Sequence, residues 1–213
     1  MGHLLTSLQI TPQKPLRRAY ERDEAAVTKW KEETYANLRR RAGKNGAEIF
    51  FLDEAGVRSD SALGRSYGLK GRTPVVKTSG KRQSTNAISA VNSRGAFWYN
   101  VYSGKLNAAS FIQFLRDFMK RRRKPVYMVL DSLPAHKAKS VETYVQSTEG
   151  KLELHFLPPY APDTNPDEFV WNHLKQNGTS KKPLRANESL KDRVTGDLSA
   201  IQSDPALVRF QNI

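Results

Sequence analysis

The chain has 213 residues and no cysteine, which excludes disulfides and thiolate metal centres and leaves carboxylate, imidazole and carbonyl groups to hold any cation. Its 35 Lys and Arg against 21 Asp and Glu give a formal charge of +14, a balance that points to a polyanion, nucleic acid ahead of anionic membrane. No apolar run approaches the roughly 20 residues of a membrane span, and the first residues lack a signal peptide's apolar stretch, so a cytoplasmic location without a membrane partner is expected.

In chain order, Leu4, Leu5 and Leu8 suggest the end of a helix, closed by Ile10, Thr11 and Pro12. Residues 15–22 read as a basic linker. Tyr20, Val27, Trp30 and Leu38 then recur at helical spacing up to Arg39, Arg40 and Arg41, with an end expected near Gly43. Cations there suit both a helix C-terminus and a nucleic acid. The apolar run from Ala47 closes on Asp53, with Glu54 beside it. Residues 56–74 carry Arg58, Arg65, Lys70 and Arg72 among loosely spaced glycines, and no nucleotide-binding glycine pattern occurs anywhere, so ATP use is not indicated.

Residues 75–78, 86–91 and 96–102 read as successive antiparallel strands, the first hairpin crowded by Lys77, Lys81 and Arg82. Asn107 caps a helix whose Phe111, Phe114, Leu115 and Phe118 form a core stripe, and the run from Lys120 to Lys124 reads as its solvated, dipole-favoured end. The buried-strand pattern PVYMVL over 125–130 ends at Asp131, and His136 follows in a loop. A helix with Ala138, Val141, Tyr144 and Val145 on one side stops at Gly150. His155 and His173 have no partner at metal spacing.

The next stretch carries the most chemistry. Leu152, Leu154, Phe156 and Leu157 give a strand, and Pro158, Pro159 and Pro162 stop it. Asn165 and Pro166 then read as N-cap and first helical residue, which puts Asp167 and Glu168 in the first turn. Adjacent helical residues point about 100° apart, so one geometry cannot serve both acids. The apolar positions Val170, Trp171 and Leu174 leave open which acid faces inward. Residues 175–185 are basic, and Leu190, Val194, Leu198 and Ile201 mark a final helix in which Gly196 costs about 1 kcal/mol relative to Ala.

Three of these segments carry a resemblance to a known family. FLDE at 51–54, VLDSLPAH at 129–136 and LPPYAPDTNPDEFVW at 157–171 resemble the acidic motifs of the DDE transposases of the mariner-like superfamily, in its bacterial insertion-sequence branch. The resemblance runs from about Pro15 to the last residues, and the 36 residues between Asp131 and Glu168 are close to that superfamily's short spacing. It implies Asp53, Asp131 and Glu168 as catalytic residues and metal ligands. The family's Asn-Pro-x-Glu pattern selects Glu168 over Asp167 and leaves Asp163 as a turn residue.

The implied fold is α/β, a ribonuclease-H-like mixed sheet with helices on both faces over residues 46–213, with the acids converging at one edge of the sheet. Residues 1–45 would be a shortened DNA-binding region plus a basic linker helix, and the tail beyond Leu207 would also be short. The implied activity is metal-dependent DNA strand cleavage and strand transfer, served by Mg²⁺ or Mn²⁺, with two ions about 3.5–4 Å apart. DNA at element ends and at the target would be the partner, and a homodimer on DNA the assembly. Arg72, Lys77, Lys81, Arg82, His136 and Lys175 are the candidates for nucleic-acid contact, although His136 fits a hydrogen-bonded loop histidine better. The short front keeps two other readings open, a nonenzymatic DNA-binding or regulatory remnant and a stand-alone metal-dependent nuclease.

Overall fold

Alternation along the strands builds two cores, one on each face of a single sheet. The computed structural model describes residues 2–11, 18–59, 67–73, 75, 82–120, 122–178, 184–185 and 187–210. Its strands are β1 (Glu48–Arg58), β2 (Ser84–Val91), β3 (Phe97–Tyr102), β4 (Val126–Leu130) and β5 (Leu152–Phe156), ordered β3-β2-β1-β4-β5. The pairs β1–β2 and β2–β3 are antiparallel, whereas β4 runs parallel to both β1 and β5. Parallel neighbours need a crossover, and helix α5 (Lys139–Gln146) supplies the one between β4 and β5.

One face packs Phe50, Leu52, Ile88, Met128 and Leu130 against Phe111, Phe114, Leu115 and Phe118 of helix α4 (Ala108–Met119) and Val141 of α5. Asn107 caps α4 as expected, exchanging hydrogen bonds with Ser110. The other face packs Phe51, Val91, Tyr127 and Val129 against Trp171 of helix α6 (Asp167–Asn177) and against Val194 and Leu198 of helix α7 (Leu190–Ser203). Consecutive residues of β1 therefore serve opposite layers. Burying each such side chain stabilises the fold by about 1.5–3 kcal/mol.

The short helix α1 (Gly2–Ser7) stands where the first leucines suggest one, with Leu4 and Leu8 exposed. Helix α2 (Glu24–Lys29) starts at Asp23, whose carboxylate accepts the Ala26 N–H, so Tyr20 lies outside it and is exposed. The helix continues through a π-helical turn over Trp30–Tyr35 into α3 (Ala36–Asn45), and the rings of Trp30 and Tyr35 stack with centroids 5.3 Å apart. The end falls at Gly46, three residues beyond the expected Gly43. Gly46 adopts φ 64°, and Ala47 N–H reaches back to the Ala42 carbonyl at 2.9 Å, a left-handed cap that glycine forms without steric cost.

β1 also outruns its expected end at Asp53, pairing with β2 as far as Arg58 opposite Ser84. Ala55 and Val57 point inward and are buried, and Gly56 admits Asn86, whose Oδ1 would stand 3.3 Å from a β-carbon there. The expected strand over 75–78 lies outside the described residues apart from Val75, which is exposed. The basic run after α4 differs from expectation at Arg122. Its guanidinium lies 3.9 Å and 4.3 Å from the ring centroids of Phe118 and Phe50 and 3.6 Å from Glu48, so it covers the core. Among the described residues no helix is long and apolar enough to cross a membrane.

Candidate active site

Asp53, Asp131 and Glu168 line one cleft of about 460 Å³. Asp53 projects from β1 on the face shared with Phe51 and Ala55, directly opposite Ser89 of β2. Asp131 is the first residue after β4, the strand beside β1, and its Oδ1 accepts the Leu133 N–H at 3.1 Å, so the chain turns and the carboxylate stays at the strand's carboxyl end. Glu168 stands in the first turn of α6. Since β1 and β4 are the third and fourth of five strands in the sheet order, the acids meet at the centre of the sheet, not at its edge.

The start of α6 is fastened to β1 by Asn165. Its Nδ2 donates to the Leu52 carbonyl at 2.9 Å, and its Oδ1 accepts the Asp167 N–H at 3.1 Å. Helix α6 therefore begins one residue later than the sequence suggests, with Pro166 at the N-cap position, and Asn165 just before it holds the first helical N–H while bonded to the residue before Asp53. Asp167 and Glu168 separate as helical geometry requires. Asp167 is fully buried, and the Ser89 hydroxyl lies 2.9 Å and 2.8 Å from its two carboxylate oxygens. Burial, reinforced by the neighbouring Asp53, pushes the Asp167 carboxyl well above the usual carboxylate range, with Ser89 opposing. Glu168 is left to the cleft.

Asp53 is pushed up to about 8, first by burial and then by the adjacent Glu168, with Glu54 and Asp131 adding to the repulsion. Asp131 moves the other way. Burial alone would raise it, but hydrogen bonds from His136 and the Leu133 N–H hold it below the usual range.

His136 is 2% exposed, and both of its ring nitrogens are engaged. Nδ1 lies 3.0 Å from Asp131 Oδ1 and 3.2 Å from the Asp131 carbonyl, and Nε2 lies 2.8 Å from Glu54 Oε1. Burial disfavours its cationic form, yet the two flanking carboxylates push it up to about 9, so the imidazolium donates to both. The ring rests on Phe111 with centroids 4.4 Å apart. Glu54 sits on the α4 side of the sheet, so the bridge Glu54–His136–Asp131 reaches the cleft from behind. Ligand atoms of these three residues lie within 4.8 Å of one another. A metal ion takes one imidazole nitrogen, whereas here each nitrogen faces a different carboxylate, an arrangement of hydrogen bonds. Of the two readings of His136, the hydrogen-bonded loop histidine is the one the geometry matches, since a side chain 0% exposed presents nothing to a phosphate.

The described ones among the remaining nucleic-acid candidates do not gather at the cleft. Arg72, Arg82 and Lys175 are exposed, and none of them lines it, while Lys77 and Lys81 lie outside the described residues. Asp163 does more than turn the chain. Its carboxylate takes both ends of the Arg22 guanidinium, which also bonds Glu24 at 2.9 Å, so the residues before α2 are tied to the corner that carries Glu168. Sequence periodicity offered no signal for that pair, 141 residues apart. For Asp167 the available signal was Ser89, a lone hydroxyl in the apolar run of β2.

Residues 48–191 match the family described as DDE superfamily endonuclease, and residues 1–34 match one described as winged helix-turn helix. An uncharacterized 39 kDa protein of insertion element IS630 from Shigella sonnei is 24% identical over 148 residues, spanning 68% of this chain and 43% of its own length. The fold is similar to that of the Mos1 mariner paired-end complex with Mn, with a TM-score of 0.70 at 17% identity, over 98% of this chain and 64% of the other. The separate catalytic domain of Mos1 mariner transposase superposes with a TM-score of 0.59 at 17% identity, over 89% of this chain and 88% of the domain. The ribonuclease-H-like mixed sheet with helices on both faces is thus the architecture of this chain.

Proposed function

The chain belongs to the DDE superfamily endonucleases, and on that premise we propose that it is the catalytic part of a transposase that cuts DNA and joins the freed 3′-hydroxyl to a target. The observation that carries this reading is the meeting of Asp53, Asp131 and Glu168 in one cleft, from two strands and a helix. Cleaving a phosphodiester requires relief of negative charge on the attacking and leaving oxygens. Among the described residues the cleft is lined by acids, prolines, apolar side chains and the neutral polar Ser132, Tyr160 and Asn165, without a Lys or Arg, so these side chains offer no cation for that relief.

A hard divalent cation fits the donor set. All three candidate ligands are carboxylates, and Asp53, raised first by burial and then by the neighbouring Glu168, stands where a cation would offset both effects. Asp53, Asp131 and Glu168 would hold it, Mg²⁺ or Mn²⁺ and two ions in our reading, supplying an activated oxygen nucleophile and stabilisation of the leaving oxygen. The protein's own contribution is placement. Asn165 sets the start of α6 against β1, so Glu168 faces Asp53. His136 holds Asp131 from behind, and the Leu133 N–H holds it from the front. The prolines at 158, 159 and 162 keep the wall of the cleft rigid. DNA at element ends and at the target is the proposed substrate, with a pair of chains on paired ends as the proposed assembly.

Cleavage of a labelled duplex tests the assignment. Glu168→Gln is expected to abolish Mg²⁺- or Mn²⁺-dependent cleavage while leaving duplex affinity nearly intact, because removing an anion cannot weaken attraction to phosphate. Asp167→Asn, buried on Ser89, is expected to keep much of the activity. The reverse pattern refutes the assignment, and a well-folded wild-type chain that never cuts DNA with either ion refutes the activity.

A further inference from the structure

Tyr160 combines an unusual backbone for a bulky residue with a place at the carboxylate cleft. Its backbone is left-handed, φ 55°, a region that bulky residues seldom enter and that glycine or asparagine would occupy more easily. Its side chain is also 57% exposed, so core packing does not repay that conformation. Tyr160 lines the carboxylate cleft, carried by the turn between Pro159 and Ala161. The segment after β4 brings Leu133, 40% exposed, and Pro134 to the same cleft. The acids thus share a slot with an aromatic residue and prolines from one segment and an aliphatic residue and a proline from another.

A slot of this kind suits a flat apolar group whose attached charge lies towards the cation-binding acids. A paired base inside a duplex offers no free face, whereas an unpaired base does, and aromatic side chains hold such bases without regard to sequence. We propose that Tyr160, with Leu133 in the same cleft, is a stacking platform for one unpaired nucleobase next to the phosphodiester at the acids. This rests on the DNA-cleaving reading of the cleft. Its occupant is a nucleobase and not a protein segment because the slot opens onto that cleft and the chain carries +14. A base held there orients the strand over Asp53, Asp131 and Glu168 and favours ends that are already frayed or nicked.

The test compares a blunt duplex with the same duplex bearing a short single-stranded overhang that contains a fluorescent purine. Binding is measured in EDTA, so that no strand is cut. Wild type and Tyr160→Phe are expected to prefer the overhang by roughly five- to 150-fold, the range that base–aromatic stacking supplies, with the purine's emission quenched. Tyr160→Gly is expected to lose both the preference and the quenching. Because glycine takes φ 55° without strain, this variant should fold at least as well as wild type, and its melting temperature checks that. Equal wild-type affinity for the two DNAs, or a preference that survives in Tyr160→Gly, overturns the proposal. So does self-association that Tyr160→Gly abolishes in the absence of any overhang preference, which would give the slot to a second copy of the chain. Cleavage with Mn²⁺ is scored separately. A wild-type chain that cleaves but shows no overhang preference removes the platform alone, whereas a wild-type chain that prefers the overhang without cleaving removes the nuclease reading and leaves the platform standing.

Discussion

Asp167 and Glu168 are neighbours in sequence with opposite surroundings, and the difference can be measured. Asp167→Ala leaves the buried Ser89 hydroxyl without its partner and should cost about 1–3 kcal/mol in urea unfolding. Asp167→Asn keeps an acceptor for Ser89 and should cost less, a difference visible in the unfolding midpoints of the two variants. Glu54 makes a second residue-scale prediction. Glu54→Ala removes one of the two acceptors of the His136 imidazolium and so loosens the group that aligns Asp131. The Mg²⁺ concentration for half-maximal cleavage should then rise about 10- to 100-fold with duplex affinity unchanged, as happens when a ligand's supporting hydrogen bond is lost. An unchanged half-saturation would show that His136 is packing only. The choice between Asp167 and Glu168 was not legible from helical spacing, because Val170, Trp171 and Leu174 suit either. The resemblance's Asn-Pro-x-Glu pattern proposes Glu168, and the structure adds that Asp167 is taken by a hydroxyl on β2, 78 residues away.

The elements around the cleft are held by few contacts, and one of them titrates. The Arg22 guanidinium beside Asp163 holds that carboxyl below its ordinary range. The unfolded chain then binds a proton more readily than the native one, so stability from this pair is present above the unfolded carboxylate value of about 3.9 and is lost as pH falls through the lower, folded value. Asp163 is about half exposed, so the gain should stay under about 1 kcal/mol. Arg22→Gln should accordingly melt lower than wild type at neutral pH, with the gap closing below about pH 3. A gap independent of pH would mean that Arg22 acts by packing. Asn165→Ala should be costlier, since the Leu52 carbonyl and the Asp167 N–H both lose a buried partner. At this scale the sequence was read well where periodicity is local, as in α4 and α7, whose apolar stripes are all buried. It was read short where pairing decides. Gly56 looks like a strand breaker, yet β2 carries β1 past it to Arg58.

For the molecule as a whole, the charge of +14 sets how the proposed DNA substrate would be held. Each neutralised phosphate releases counterions, so the logarithm of affinity should fall linearly with the logarithm of salt concentration, and several contacts should cost orders of magnitude between about 50 and 200 mM. Fluorescence anisotropy across that range measures the slope, and a flat line would place the basic residues outside the interface. Arg39, Arg40, Arg72, Arg82 and Lys175 are exposed and available for such contacts. Arg122, folded over Phe50 and Phe118, is not, and Arg122→Ala should destabilise the fold with little change in that slope. Composition alone pointed to a polyanionic partner. Which cations remain free for it depends on packing that composition cannot report. The order of strands and helices was legible in the same way, from local patterns, while the cleft was not, since it exists only once β1, β4 and α6 lie side by side.

The bridge from Glu54 through His136 to Asp131 makes the sheet permeable to mutation. A random screen for inactive clones that still fold would normally map a reaction centre to the residues that face it. Here the map should have a second lobe on the far layer, at Glu54, at His136 and at Phe111, whose ring supports the imidazole. Substitutions on that layer would appear in such a screen as distant and unexplained, although each is a step or two of hydrogen bond or ring contact from Asp131. The sensitive area of this protein is therefore larger than its cleft, and half of it is invisible from the side where DNA would approach.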